Sequence, residues 1–240
     1  MVASYQSNQP GRVRFVSENY GNSALAERFG IKRYPVIFVD EALFARPEDF
    51  GGWGREAGKY HPWRGDTVTH ARFKKDLQHL IDLTLRGRIP VTTKQVQNET
   101  AQEIAVLPSV TTTDLNGQAI TANDFVGRIT IVEFWATWCG PCRSTLGWLG
   151  ELKQRYGDKV EVLTIAVESE EAEVRQQLAA LKPPLRVVLG TESMVTSFGG
   201  ITSVPTMFVF DQQGQTAQVF YGAPEDLHPK VETLLRRLLK

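Results

Sequence analysis

Ile129-Thr130-Ile131-Val132-Glu133-Phe134-Trp135 is a run of β-branched and aromatic residues, and the pair Cys139-Gly140-Pro141-Cys142 follows it almost at once. A run of this kind belongs in a strand buried in the middle of a sheet. Proline is tolerated in a first helical turn and glycine can end a helix, so a helix is expected from Pro141 to Tyr156, closed by Gly157. The chain is thereby committed to a strand-turn-helix unit with two sulfurs at its junction.

The segments that follow repeat the alternation. Val160 to Val167 reads as a second buried strand, and Ser169 with Glu170, Glu171 and Glu173 as the cap and acidic first turn of a helix to Leu181. Leu185 to Leu189 is a short strand, Ser193 to Phe198 a short helix, and Thr206 to Phe210 a strand turned by Asp211-Gln212-Gln213-Gly214 into Gln215 to Tyr221. Leu227, Val231, Leu234, Leu235 and Leu238 mark one face of a closing helix. Ahead of the buried run, Asn116-Gly117 between Val110-Thr113 and Gln118-Ile120 is a hairpin signal. Strands alternating with helices predict an α/β sheet covered on both faces.

Composition removes several functional classes. With 42% hydrophobic and 22% charged residues in 240, the chain can bury a real core, and its 27 basic and 27 acidic residues leave no net charge to attract nucleic acid or an anionic membrane. No stretch approaches the roughly 18 apolar residues of a spanning helix. The polar first residues, with Gln9-Pro10-Gly11, do not form a signal peptide; Met1-Val2-Ala3 is either native or the remnant of a removed export signal. Only two cysteines occur, and His61, His70, His79 and His228 are not spaced as ligand pairs, so neither a metal site nor any other cofactor is expected.

The chemistry therefore converges on the cysteine pair. At a strand-to-helix junction the first sulfur meets free N–H groups and the positive end of the helix dipole, which favour its thiolate. Cys139 is the expected attacking group. Cys142, one turn further on and more buried, is the resolving thiol: attack on a partner disulfide gives a mixed disulfide, which the second sulfur breaks. Glu133 stands out in an otherwise apolar run, because a carboxylate buried there is costly unless protonated or partnered.

Phe134-Trp135-Ala136-Thr137-Trp138-Cys139-Gly140-Pro141-Cys142-Arg143 resembles the active site of the thioredoxin superfamily, and Val204-Pro205-Thr206 resembles its cis-proline loop. The Asp114-Leu115-Asn116-Gly117 hairpin with Phe125-Val126-Gly127-Arg128 is similar to the TlpA/ResA-like branch of extracytoplasmic thiol-disulfide oxidoreductases. The resemblance covers about residues 105–240. It implies a thioredoxin fold, a central mixed sheet flanked by helices, and a protein thiol-disulfide oxidoreductase acting on protein disulfides. Reduction is the expected direction, since the Gly140-Pro141 dipeptide looks like that of reducing thioredoxin, whose potential is about −270 mV.

A membrane or soluble thiol donor would re-reduce the pair, the location would be extracytoplasmic (periplasmic) with signal or anchor absent from this chain, and apo-cytochrome cysteines are a client of the kind such proteins serve. Glu133 occupies the place of a buried acid with a raised pKa that takes the proton of the second cysteine, the other reading being a salt-bridged or surface-facing side chain. Trp138, Gly140, Pro141, Ser203, Val204 and Pro205 are the implied substrate contacts, with the Ser203-Val204 backbone open to an added client strand. The alternative for Pro205 is a trans proline opening a strand. After Cys142 the branch usually carries an acidic residue and then a proline, where this chain has Thr145 and Gly147, which leaves Glu133 as the remaining candidate acid.

Residues 1–90 contain an echo of this domain: Gly30-Ile31 and Pro35-Val36-Ile37-Phe38-Val39 align with Gly200-Ile201 and Pro205-Thr206-Met207-Phe208-Val209 at constant offset. A helix is expected from Arg72 to Leu85 with Phe73, Leu77, Leu80 and Ile81 on one face. This reads as a partial thioredoxin-like α/β unit without cysteines, joined by a linker over 91–104 to the redox domain at 105–240. Trp53, Tyr60 and Trp63 form either a contact patch or the core of an irregular loop. Two other functional classes compete: a client-binding, chaperone-like module without turnover, and a thiol peroxidase, which needs a lone peroxidatic cysteine instead of C-x-x-C.

Overall fold

The structure, a computed structural model, describes residues 5, 11–18, 23–31, 35–50, 58–61, 67–88, 104–181, 184–201 and 203–240. The chain divides into two units, Met1–Glu99 and Thr100–Lys240.

In the first unit Ser23 caps α1 (Ala24–Phe29) by accepting the Ala26 N–H, and Gly30, left-handed at φ 64°, closes it. β1 (Ile37–Val39) and β2 (Ala42–Ala45) form an antiparallel hairpin, followed by one 3-10 turn at Pro47–Asp49. α2 spans Thr67–Leu85, starting before Arg72. The apolar period that marks the helix begins at Phe73, whereas its first turn is built of Thr67-Val68-Thr69, β-branched residues of low helix propensity. Burial of Thr69 and its hydroxyl bond to the His61 carbonyl hold that turn in place. Tyr60 is core: it is 2% exposed, lies edge-on to Phe73 at 5.1 Å, and donates its hydroxyl to Asp76 at 3.0 Å. Phe44 and Phe50 complete this aromatic cluster. Trp53, Trp63 and residues 91–103 of the expected linker lie outside the described residues.

The second unit opens with the hairpin β3 (Thr112–Thr113) and β4 (Ala119–Ile120), where the Asp114 carboxylate accepts the N–H groups of Asn116 and Gln118. Gly117 adopts φ 81°, the left-handed conformation that its turn requires. Then come β5 (Ile129–Trp135), α3 (Gly140–Tyr156), β6 (Val160–Ala166), α4 (Glu171–Leu181), β7 (Arg186–Leu189) and α5 (Glu192–Ser197). The hairpin strands β8 (Thr206–Phe210) and β9 (Thr216–Tyr221) lead to α6 (Leu227–Leu238). The mixed sheet runs β7-β6-β5-β8-β9, with β5 parallel to β6 and antiparallel to β8.

Every residue of β5, β6 and β8 is buried, which is why these runs lack the polar alternation of a half-exposed strand. One face, through Ile129, Ile131 and Trp135, packs on α3, α4 and α6; Phe134, Phe208 and Phe210 on the other pack around Phe198 at the end of α5. Both sheet edges are partly covered. Leu115 donates its N–H to Val187 of β7, and Ile104–Leu107 pairs with the start of β9 through Leu107 N–H to Gly214 and Thr216 N–H to Ala105. Helix, left-handed glycine, strand hairpin and helix recur in the same order in both units, at α1-Gly30-β1-β2-α2 and α5-Gly200-β8-β9-α6.

Candidate active site

Cys139 ends the loop after β5 and is the N-cap of α3, its sulfur accepting the Cys142 N–H at 3.3 Å. The two sulfurs are joined in a disulfide, with Cα atoms 5.3 Å apart. Exposure separates them: Cys139 retains 5%, Cys142 none. Gly140 and Pro141 are exposed in the first turn, where proline costs no helical hydrogen bond. The Cys139 sulfur thus lies at the start of α3, where free N–H groups and the helix dipole favour negative charge, while Cys142 lies one turn further in.

Glu133 lies in β5 on the face shared by Ile131 and Trp135, paired in register with Thr164 of β6 and Met207 of β8. It is fully buried, and among the described residues neither carboxyl oxygen has a hydrogen-bond partner. Burial pushes its pKa up from 4.5 to about 8. The neighbouring Thr145 hydroxyl on α3 would pull the value back, but its proton goes to the Cys142 carbonyl at 3.0 Å. Thr145 thus lies between the acid and the buried cysteine's backbone.

The Val204-Pro205 peptide bond is cis. Pro205 and Ser203 are buried, and Val204 packs against the apolar cluster that holds both cysteines. The Ser203 carbonyl accepts the Thr206 hydroxyl at 2.8 Å, and the Pro205 carbonyl accepts the Gly222 N–H at 2.7 Å, tying the loop to the end of β9. Among the described residues the Ser203 hydroxyl has no partner. Trp138 stands 54% exposed beside Cys139, with its indole N–H donated to the Glu168 carbonyl at 3.2 Å.

Sequence reasoning missed the loop after β6. Ser169, expected to cap α4, instead accepts the Thr137 N–H and donates to the Val167 carbonyl, both at 2.9 Å. A serine before acidic residues has the same local appearance in either role, and only the tertiary neighbour separates them.

The Redoxin family matches residues 100–235. Thiol-disulfide oxidoreductase ResA of Bacillus cereus (strain ATCC 10987 / NRS 248) is 30% identical over 165 residues, 66% of this chain and 93% of that protein. ResA of Bacillus thuringiensis subsp. konkukian (strain 97-27) is 30% identical over 149 residues, 61% of this chain and 82% of that one. Among solved structures, a thiol:disulfide interchange protein of the thioredoxin family from Chlorobium tepidum TLS matches with a TM-score of 0.53 and 25% identity, over 57% of this chain and 97% of that one.

Proposed function

Given that the chain belongs to the Redoxin family and is a thiol-disulfide oxidoreductase with a thioredoxin fold, we propose that it works as a reductase of protein disulfides outside the cytoplasm. The observation that carries this reading is the asymmetry of the pair. One sulfur lies at a helix start with some exposure, and the other is sealed, its backbone carbonyl bonded to Thr145, the neighbour of a buried acid whose pKa burial raises to about 8.

The Cys139 thiolate attacks one sulfur of a client disulfide; that bond breaks, a mixed disulfide forms, and the second client sulfur leaves as a thiolate. Cys142 then loses its proton to Glu133 in its carboxylate form and attacks the Cys139 sulfur. This closes the bridge and releases the first client sulfur. Two electrons have passed to the client, and a dithiol donor, membrane-bound or soluble, returns them. Trp138, Gly140 and Pro141 on one side and Ser203, Val204 and Pro205 on the other form the walls along which the client chain is laid. The resemblance to the extracytoplasmic branch supports the location and makes apo-cytochrome cysteines a suitable client. Among the described residues no helix is long and apolar enough to cross a membrane.

Reduction of insulin, with dithiothreitol as donor, tests the reading: wild type should turn over, and Cys139→Ser should fall to the uncatalysed rate. Equilibration with glutathione decides direction. A potential near the thioredoxin value of about −270 mV supports reduction, whereas one above about −180 mV makes the protein an oxidant and overturns the proposal.

A further inference from the structure

The end of β5 and the loop that carries the nucleophile are fastened to the loop after β6 and the first turn of α4 by four hydrogen bonds. Val167 donates its N–H to the Trp135 carbonyl at 2.8 Å, and Thr137 donates its N–H to the Ser169 hydroxyl at 2.9 Å. The Trp138 indole donates to the Glu168 carbonyl at 3.2 Å, and the Thr137 hydroxyl to Glu173 at 2.9 Å. Glu168 holds φ 47°, a left-handed conformation that a non-glycine residue keeps only where its surroundings compel it. Ser169 is held in turn by its own bond to the Val167 carbonyl. An aromatic side chain that is half exposed would ordinarily sample several rotamers. Here its polar end is tied to a strained turn, and the backbone N–H of the preceding residue, Thr137, is tied to a serine. Fixing a contact side chain before binding removes an ordering cost from the bound state, and the saving is read in KM.

We propose that Ser169 and the Glu168 carbonyl are positioning elements for client docking. They lock Thr137 and Trp138 so that the indole is a fixed apolar wall beside Cys139, against which a protein client with an apolar or aromatic residue near its cysteine is placed. A small disulfide, which has little to lay against that wall, gains much less. The inference rests on the reading of Trp138 as a client contact.

The test compares steady-state reduction of insulin and of glutathione disulfide by wild type, Ser169→Ala, Ser169→Thr and Trp138→Phe. Loss of the serine hydroxyl should raise KM for insulin about tenfold with little change in kcat, and lower the insulin-to-glutathione ratio of kcat/KM by a similar factor. Ser169→Thr, which restores the hydroxyl, should recover most of that ratio. Trp138→Phe keeps an aromatic ring but lacks the indole N–H, and its exposed site makes it independent of folding; it should raise the insulin KM as well. Ser169→Ala acting equally on both substrates, or lowering kcat at constant KM, overturns the proposal, as does Trp138→Phe with an unchanged insulin KM. Wild type that reduces insulin while no variant moves KM refutes the clamp alone. Wild type that reduces glutathione disulfide but leaves insulin intact refutes the reductase reading and the clamp with it.

Discussion

A carboxyl group with no exposure and no partner among the described residues, between Val132 and Phe134, makes the stability of the oxidised protein depend on pH in a definite sense. Between the ordinary carboxyl range and about 8, the folded protein keeps a proton on Glu133 that the unfolded chain has released. Stability therefore falls as pH rises through that window, with a slope approaching about 1.4 kcal/mol per pH unit, and levels off above it. Urea unfolding at a series of pH values should show this slope in wild type and its loss in Glu133→Gln; an unchanged slope would place the titrating group elsewhere. The same substitution should slow resolution of the mixed disulfide about 100-fold, measured by trapping that species in a stopped reaction. Glu133 was legible in the sequence because a lone acid in an apolar run is conspicuous. Its relation to Thr145 was not, since register between a strand and a helix follows from packing.

Two glycines test the elements around the site. Gly147 lies inside α3 with open space where a side chain would begin, so Gly147→Ala should stabilise the protein by about 0.5–1 kcal/mol through helix propensity and a less free unfolded chain. Gly190, after β7, is the opposite case: an added Cβ would meet Val167 Cγ1 at 2.9 Å and the Ala166 carbonyl at 3.1 Å. Gly190→Ala should cost about 1–3 kcal/mol, seen as a lower urea midpoint at unchanged slope. The strands and helices of the second unit follow their sequence periods because each buries a continuous apolar run or stripe. The start of α2 was missed where Thr67 to Thr69 carry no apolar period, and the role of Ser169 where a local pattern suits two partners equally.

At the scale of the molecule, the second unit contains a complete sheet, its own cluster of buried residues and the cysteine pair. Thr100–Lys240 produced alone should unfold in one cooperative transition and keep its reaction with glutathione disulfide; a broad, non-cooperative melt would show that the first unit is needed for its fold. The thioredoxin fold was legible because the motif residues sit at a junction whose geometry few architectures share. The first unit was less so, because its aromatic cluster draws Phe44 from a strand, Phe73 from a helix, and Phe50 and Tyr60 from the segments between them, with no common period. One consequence follows from the complete enclosure of Cys142. Changing it to alanine leaves the surface a client meets untouched while deleting the sulfur proposed to let the client go. Such a variant would act as a covalent snare: the proteins recovered on it after mild lysis would be those the native face selects, each held through Cys139 and freed by a reductant.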